Sequence, residues 1–259
     1  MQLLVVGRKF YGACLMGLGI QQLIYANFLP IILPAWPSWF PGVSFWAYIL
    51  GIMLMAIGGA ILAEKHTRTI SLFSGGLFLV LFLFCHVPHL LWVNPYSKHL
   101  GTWTHALKLL ALSGGAFVMA GSYEFVESRS SAIKFLERLI PFGRIFFSIT
   151  MIAFGIDHFL YLEIVAKLVP DWIPGHIFWT YFAAVALIGS GVAIILKLQL
   201  KLIAILLGAM IFLWFVLLHI PRAIADPTGN MGNEVTSAFQ ALGFSGIALI
   251  IAFGKKTSP

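Results

Sequence analysis

Asp157 and His158 sit side by side inside an apolar run that extends from Ile145 to Leu162. A carboxylate within hydrocarbon is costly, so such a residue has a partner, handles protons or orients a ligand. Neighbouring residues on a helix project about 100° apart, so the two side chains are expected to meet different surroundings. Lys108, about one turn inside another apolar run, is the expected partner for Asp157. Two readings follow: a buried polar network that fixes helix docking, or a proton-handling and ligand-orienting pair. His86 and His219 each stand two residues before a proline, and one ligand from each would reach a metal or haem iron. No HExxH, no CxxCH and no histidine pair at i, i+4 accompanies them. Ordinary helix-ending His-x-Pro turns, with the ring bonded to a freed carbonyl, are the competing reading. No residue is singled out as catalytic.

These residues recur at matching places along the chain. Gly19-Ile20-Gln21-Gln22 aligns with Gly155-Ile156-Asp157-His158, and Pro37-Ser38-Trp39-Phe40-Pro41-Gly42 with Pro170-Asp171-Trp172-Ile173-Pro174-Gly175. Phe45-Trp46-Ala47-Tyr48 then matches Phe178-Trp179-Thr180-Tyr181, His86-Val87-Pro88 matches His219-Ile220-Pro221, and Ser113-Gly114 matches Ser245-Gly246. A repeat this long is a duplicated domain, not a solenoid. Gln21 and Gln22 therefore hold the places of Asp157 and His158, and Gln240 that of Lys108.

With 60% hydrophobic and 10% charged residues and a mean hydropathy of +0.97, the chain is far from the roughly 25% charge of soluble domains. It reads as an all-α, polytopic membrane protein. Helices are expected at about 10–28, 45–63, 70–86, 105–121, 145–162, 177–196, 202–219 and 236–253. These give eight spans in two four-helix bundles: a first repeat over 8–122, a second over 144–254, and a linker over 123–143. The runs are long and do not alternate with period two, which excludes barrel strands. Mixed charges and apolar residues suit the linker to an interfacial helix or to a solvated connection. Arg8 and Lys9 before the first run, with no small-residue cleavage site after it, suggest a retained signal anchor.

Of the 16 basic residues, Lys98, Lys108, Lys167 and Arg222 fall at or near one face, and the other twelve at the opposite one. Positive-inside logic makes the richer face cytoplasmic, with both termini there, as in a bacterial inner-membrane protein. The net charge of +7 thus reports orientation and not a nucleic-acid partner. With an even number of spans in each, the repeats enter the membrane in the same direction, parallel and not inverted. Glycines at 17, 19, 58, 59, 114, 115, 189 and 191 offer close helix contacts. Cys14 and Cys85 occupy unmatched places and form no disulfide framework.

His86, His89, His99, His105, His176 and His219 fall on the outer face with both Pro-Trp-Pro loops. Trp39, Trp172 and Trp179 there form either an aromatic belt or a lid of flat rings over an apolar ligand. No nucleophile elbow, phosphate loop or dinucleotide fingerprint occurs. The inner halves of the runs hold almost no ionisable groups, which counts against an ion channel or proton pump.

Gly155-Ile156-Asp157-His158-Phe159, Leu168-Val169-Pro170-Asp171-Trp172-Ile173-Pro174, Phe178-Trp179 and the pair Gly189 and Gly191 resemble the DoxX-like family of small bacterial membrane proteins. Those are typically single four-helix units, so the chain looks like a tandem form. Its first half departs from the pattern, with Gln22-Leu23 in place of His158-Phe159. The family takes its name from subunits linked to thiosulfate-dependent quinone reduction, and other members are associated with oxidative-stress and thiol redox systems. The resemblance implies a membrane component of a redox system, and, if an enzyme, a quinone-linked oxidoreductase subunit. A quinone or similar apolar ligand would sit near the outer leaflet, its ring packed by Trp172 and Trp179. His158, Asp157 or His219 would exchange hydrogen bonds or protons with it. Expected partners are the bilayer, a redox protein and further copies of the chain. A partner-binding scaffold and a lipid or small-molecule transporter are the rival classes.

Overall fold

The computed structural model describes residues 2–35, 41–124 and 130–254. Its regular structure among these is entirely helical, and seven helices are long and apolar enough to cross a membrane. That is consistent with a helical membrane protein, since a backbone in lipid must satisfy its own polar groups. Helix α1 covers Gln2–Tyr25, α2 Val43–Leu62, α3 Thr67–Leu81 and α4 Thr104–Gly121; a short α5, Ser131–Glu137, follows. Then come α6, Gly143–Leu160; a one-turn α7, Leu162–Ala166; α8, His176–Ile195; α9, Leu200–Trp214; a short α10, Ile220–Ala225; and α11, Gly229–Phe253.

Helix α4 accounts for the difference between the eight expected spans and the seven that pass on apolarity. Its first turns carry Thr104, His105 and Lys108, and thirteen of its 18 residues are buried. A helix enclosed by protein need not be lipophilic all round. Its counterpart α11 is likewise enclosed, and the two pack against each other.

Lengths and local conformations correspond closely between the halves. Helices α2 and α8 have 20 residues each, and α3 and α9 have 15 each. Gly42 (φ 82°) and Gly175 (φ 77°) begin α2 and α8 in the left-handed conformation that glycine tolerates. Ser113 Oγ donates to Gly75 O over 2.8 Å, and Ser245 Oγ to Gly208 O over 2.9 Å. An added Cβ at Gly19 would lie 2.7 Å from Gly51 O, and one at Gly155 2.7 Å from Ala184 O, so both crossings depend on glycine. Not every glycine serves this way. Gly189 has open space beside it, and Gly59 meets only Met16 Cε at 3.9 Å.

The helices are not two separate bundles. α1 packs between α2 and α11, while α6 packs between α8 and α4, so the first helix of each half lies against the last helix of the other. Tyr11 Oη, fully buried, donates to Leu112 O over 2.6 Å and links α1 to α4.

The ends of the elements also depart from expectation. Arg8 and Lys9 lie within α1, not ahead of it. Arg8 Nε donates to Ser122 Oγ over 3.1 Å, and its guanidinium stacks on Tyr123, which ties it to the C-terminus of α4. His86 and His219 do not end their helices. Five-residue π-helical segments, Phe82–His86 and Phe215–His219, continue α3 and α9. Pro88 and Pro221 each lack an N–H and crowd the carbonyl four residues back, and the helix widens instead of stopping. In the linker, α5 docks on the bundle: Arg68 Nη2 meets Glu137 Oε1 at 2.6 Å, and Arg68 Nη1 donates to Ala120 O over 3.0 Å.

Candidate functional site

At the histidine-rich end, α4, α6, α8, α9 and α11 enclose a cavity of about 520 Å³. Each helix presents one face to it, as helical spacing requires. Thr104 and Lys108 come from α4; Phe154, Asp157 and His158 from α6; Trp179, Thr180, Ala183 and Leu187 from α8. α9 and its π-helical extension give Met210, Ile211, Trp214, Leu218 and His219, and α11 gives Ser237, Gln240, Ala241 and Phe244. Tyr161, where α6 gives way to α7, also lines it and accepts a bond from Gly101 N at 3.2 Å. Trp179 and Trp214 meet edge to face at 6.1 Å, and Trp179 Nε1 donates to Pro174 O over 3.1 Å. The wall is mainly apolar with a few convergent polar groups, and its volume lies within the roughly 300–1,000 Å³ of small-molecule sites.

Several polar groups of the wall are uncommitted. Asp157 Oδ1, His219 Nδ1 and both amide atoms of Gln240 are buried and make no hydrogen bond within the chain. Such atoms normally find partners. His158 Nδ1 donates to Phe154 O over 2.7 Å, which fixes the ring and leaves Nε2 as its second polar atom. The salt bridges among the described residues are Arg68–Glu137 and Arg222–Glu234. The expected Asp157–Lys108 ion pair is therefore not formed, although both residues line the same cavity. Asp157 and His158, expected to face different neighbours, share it too. Arg222 binds Glu234 twice, at 2.8 Å and 2.6 Å, which occupies the nearest other carboxylate.

Of the remaining sequence candidates, Trp179 and His219 line the cavity. Trp172 does not: it is 67% exposed on the loop before α8. Trp39 lies outside the described residues. Gln21 and Gln22 belong to the other half, and their bonds are made. Gln21 Nε2 donates to Gly232 O over 3.0 Å and Gln21 Oε1 accepts from Thr236 Oγ1 at 3.1 Å. Gln22 Nε2 donates to Ala47 O over 3.1 Å. The ring of His86 bonds Ile32 O at 3.3 Å, a carbonyl of the loop after α1 and not one freed in its own helix. His86 and His219 thus sit in different surroundings and do not converge on one ion. Sequence reasoning missed Trp214 and Ser237, and it met Thr180 only as a member of the matched segment Phe178-Trp179-Thr180-Tyr181. It noted Gln240 only as the counterpart of Lys108, and that correspondence was the clue to its place in the wall.

No family model, curated protein or solved structure matches the chain.

Proposed function

We propose that the chain is a multi-pass protein of a bacterial inner membrane that binds a quinone-like or lipidic molecule near the outer leaflet, as the membrane component of a redox system. In this reading it has eight spans in two parallel repeats, with both termini cytoplasmic. The cavity is what carries the ligand half of the proposal. It lies at the histidine-rich end, is walled by aliphatic and aromatic side chains, and holds unpaired polar atoms at Asp157, His219 and Gln240. An apolar ring or chain fits the wall, and a polar head suits the uncommitted atoms. The redox half leans on the DoxX-like resemblance of the segment from Gly155 to Gly191. A redox partner protein and self-association belong to the same proposal.

The test is ligand identification by mass spectrometry after mild-detergent purification of the wild type, Asp157→Asn and His158→Ala. The wild type should retain a quinone or lipid that both variants lose in large part. Equal occupancy in all three, or none in any, would overturn the assignment.

A further inference from the structure

The donor and acceptor inventory of the cavity says more about the ligand than its volume does. We infer that the molecule held there is neutral and presents a ring hydroxyl, as a hydroquinone or alkylphenol does, in preference to a head of carbonyls or ethers alone. This inference rests on the ligand-binding reading above and narrows it.

Three observations support it. The Nδ1 of His158 donates to Phe154 O, so in the uncharged ring Nε2 is an acceptor. Gln240 has both amide atoms buried and unbonded within the chain; whichever way the amide is turned, one acceptor and one NH2 donor need partners. Asp157 and Lys108 line the same cavity without an ion pair, one acid and one base, so the wall carries no formal net charge that would call for a charged ligand. A quinone offers only acceptors. It satisfies the amide NH2 but leaves the Gln240 oxygen dry, and a buried group left unpaired is costly. A hydroxyl donates one hydrogen bond and accepts others, so it serves both kinds of wall atom.

The full chain in mild detergent is titrated anaerobically, by native mass spectrometry, with four probes: a decyl-substituted hydroquinone, its quinone, its dimethyl ether and 4-decylphenol. The hydroquinone should bind about tenfold or more tightly than the quinone and the ether. In Gln240→Leu that preference should shrink to about twofold, with thermal unfolding of the variant recorded alongside so that a misfolded protein is recognised; a preference undiminished in a folded Gln240→Leu would overturn the inference. Phenol binding equal to the hydroquinone would make one hydroxyl sufficient; weaker phenol binding would point to the quinol alone. Quinone or ether binding as tight as the hydroquinone would overturn this inference and leave the ligand-binding proposal standing. Failure of every probe to bind the wild type would overturn both.

Discussion

The two halves share one helix pattern and differ in what occupies the equivalent space near the histidine-rich end. In the first half the loop after α1 turns inward, with Leu29, Ile31 and Ile32 at 0–1% exposure. Gln21, Gln22 and His86 spend their hydrogen bonds holding that loop and the neighbouring helices together. In the second half α7 and the residues after it, Ile164, Val165, Leu168 and Val169 among them, form part of a cavity wall and leave the space open. Side-chain size follows the same division. Leu50 and Leu109 on the filled side correspond to Ala183 and Ala241, which line the cavity. Phe78, fully buried, corresponds to Ile211. The first half is thus closely packed at this end, while the second half holds a pocket with uncommitted polar groups.

That contrast fixes what substitutions should do. The largest effect on stability is expected in the plug. Ile32→Ala leaves a hole in the buried core that also holds Leu54, Phe78 and Leu109, and should cost about 2–5 kcal/mol. Leu218→Ala, on a wall already open on one side, should cost less than half of that, by denaturant unfolding in detergent. Equal losses would show that the two regions do not differ in packing. Next comes Gln21→Ala, which removes bonds to Gly232 and Thr236 and leaves both groups buried, for a loss of about 1–3 kcal/mol. Gln240→Leu removes an amide with no partner in the chain and should leave stability unchanged or raised, while weakening ligand retention. The smallest expected effect is Trp172→Ala. Its exposed ring lies off the cavity, so ligand affinity should change by less than about twofold, whereas Trp179→Ala should lower it about tenfold or more, as loss of a buried aromatic contact would.

Much of this was legible in residue types. The long apolar runs, the matched Gly-x-x-x and Pro-x-Trp-x-Pro segments and the histidine pairs fixed which helices correspond. The burden on Asp157 pointed to the end of α6 that lines the cavity. Other features depend on tertiary partners that no local pattern encodes. The exchange of first helices between halves is set by glycine crossings such as Gly7 against Gly246 and Gly143 against Gly114, and Gly7 carried no special sequence signal. The inward turn of Leu29–Ile32 looks like any apolar loop until Gln22 and His86 are seen to bond its backbone. The π-helical continuation past His86 and His219 was hidden because a proline is as compatible with a stop as with a widened turn.

The most direct measurement exchanges the wall residues that separate the halves. Ala183→Leu with Ala241→Leu gives the cavity the side chains of the filled side. Ligand per mole of protein, measured by extraction and mass spectrometry beside the wild type, should fall to about a tenth or less, since two buried leucines displace much of a ring-sized ligand, with thermal stability maintained. Undiminished ligand in a folded double variant would contradict the assignment of this cavity as the binding site.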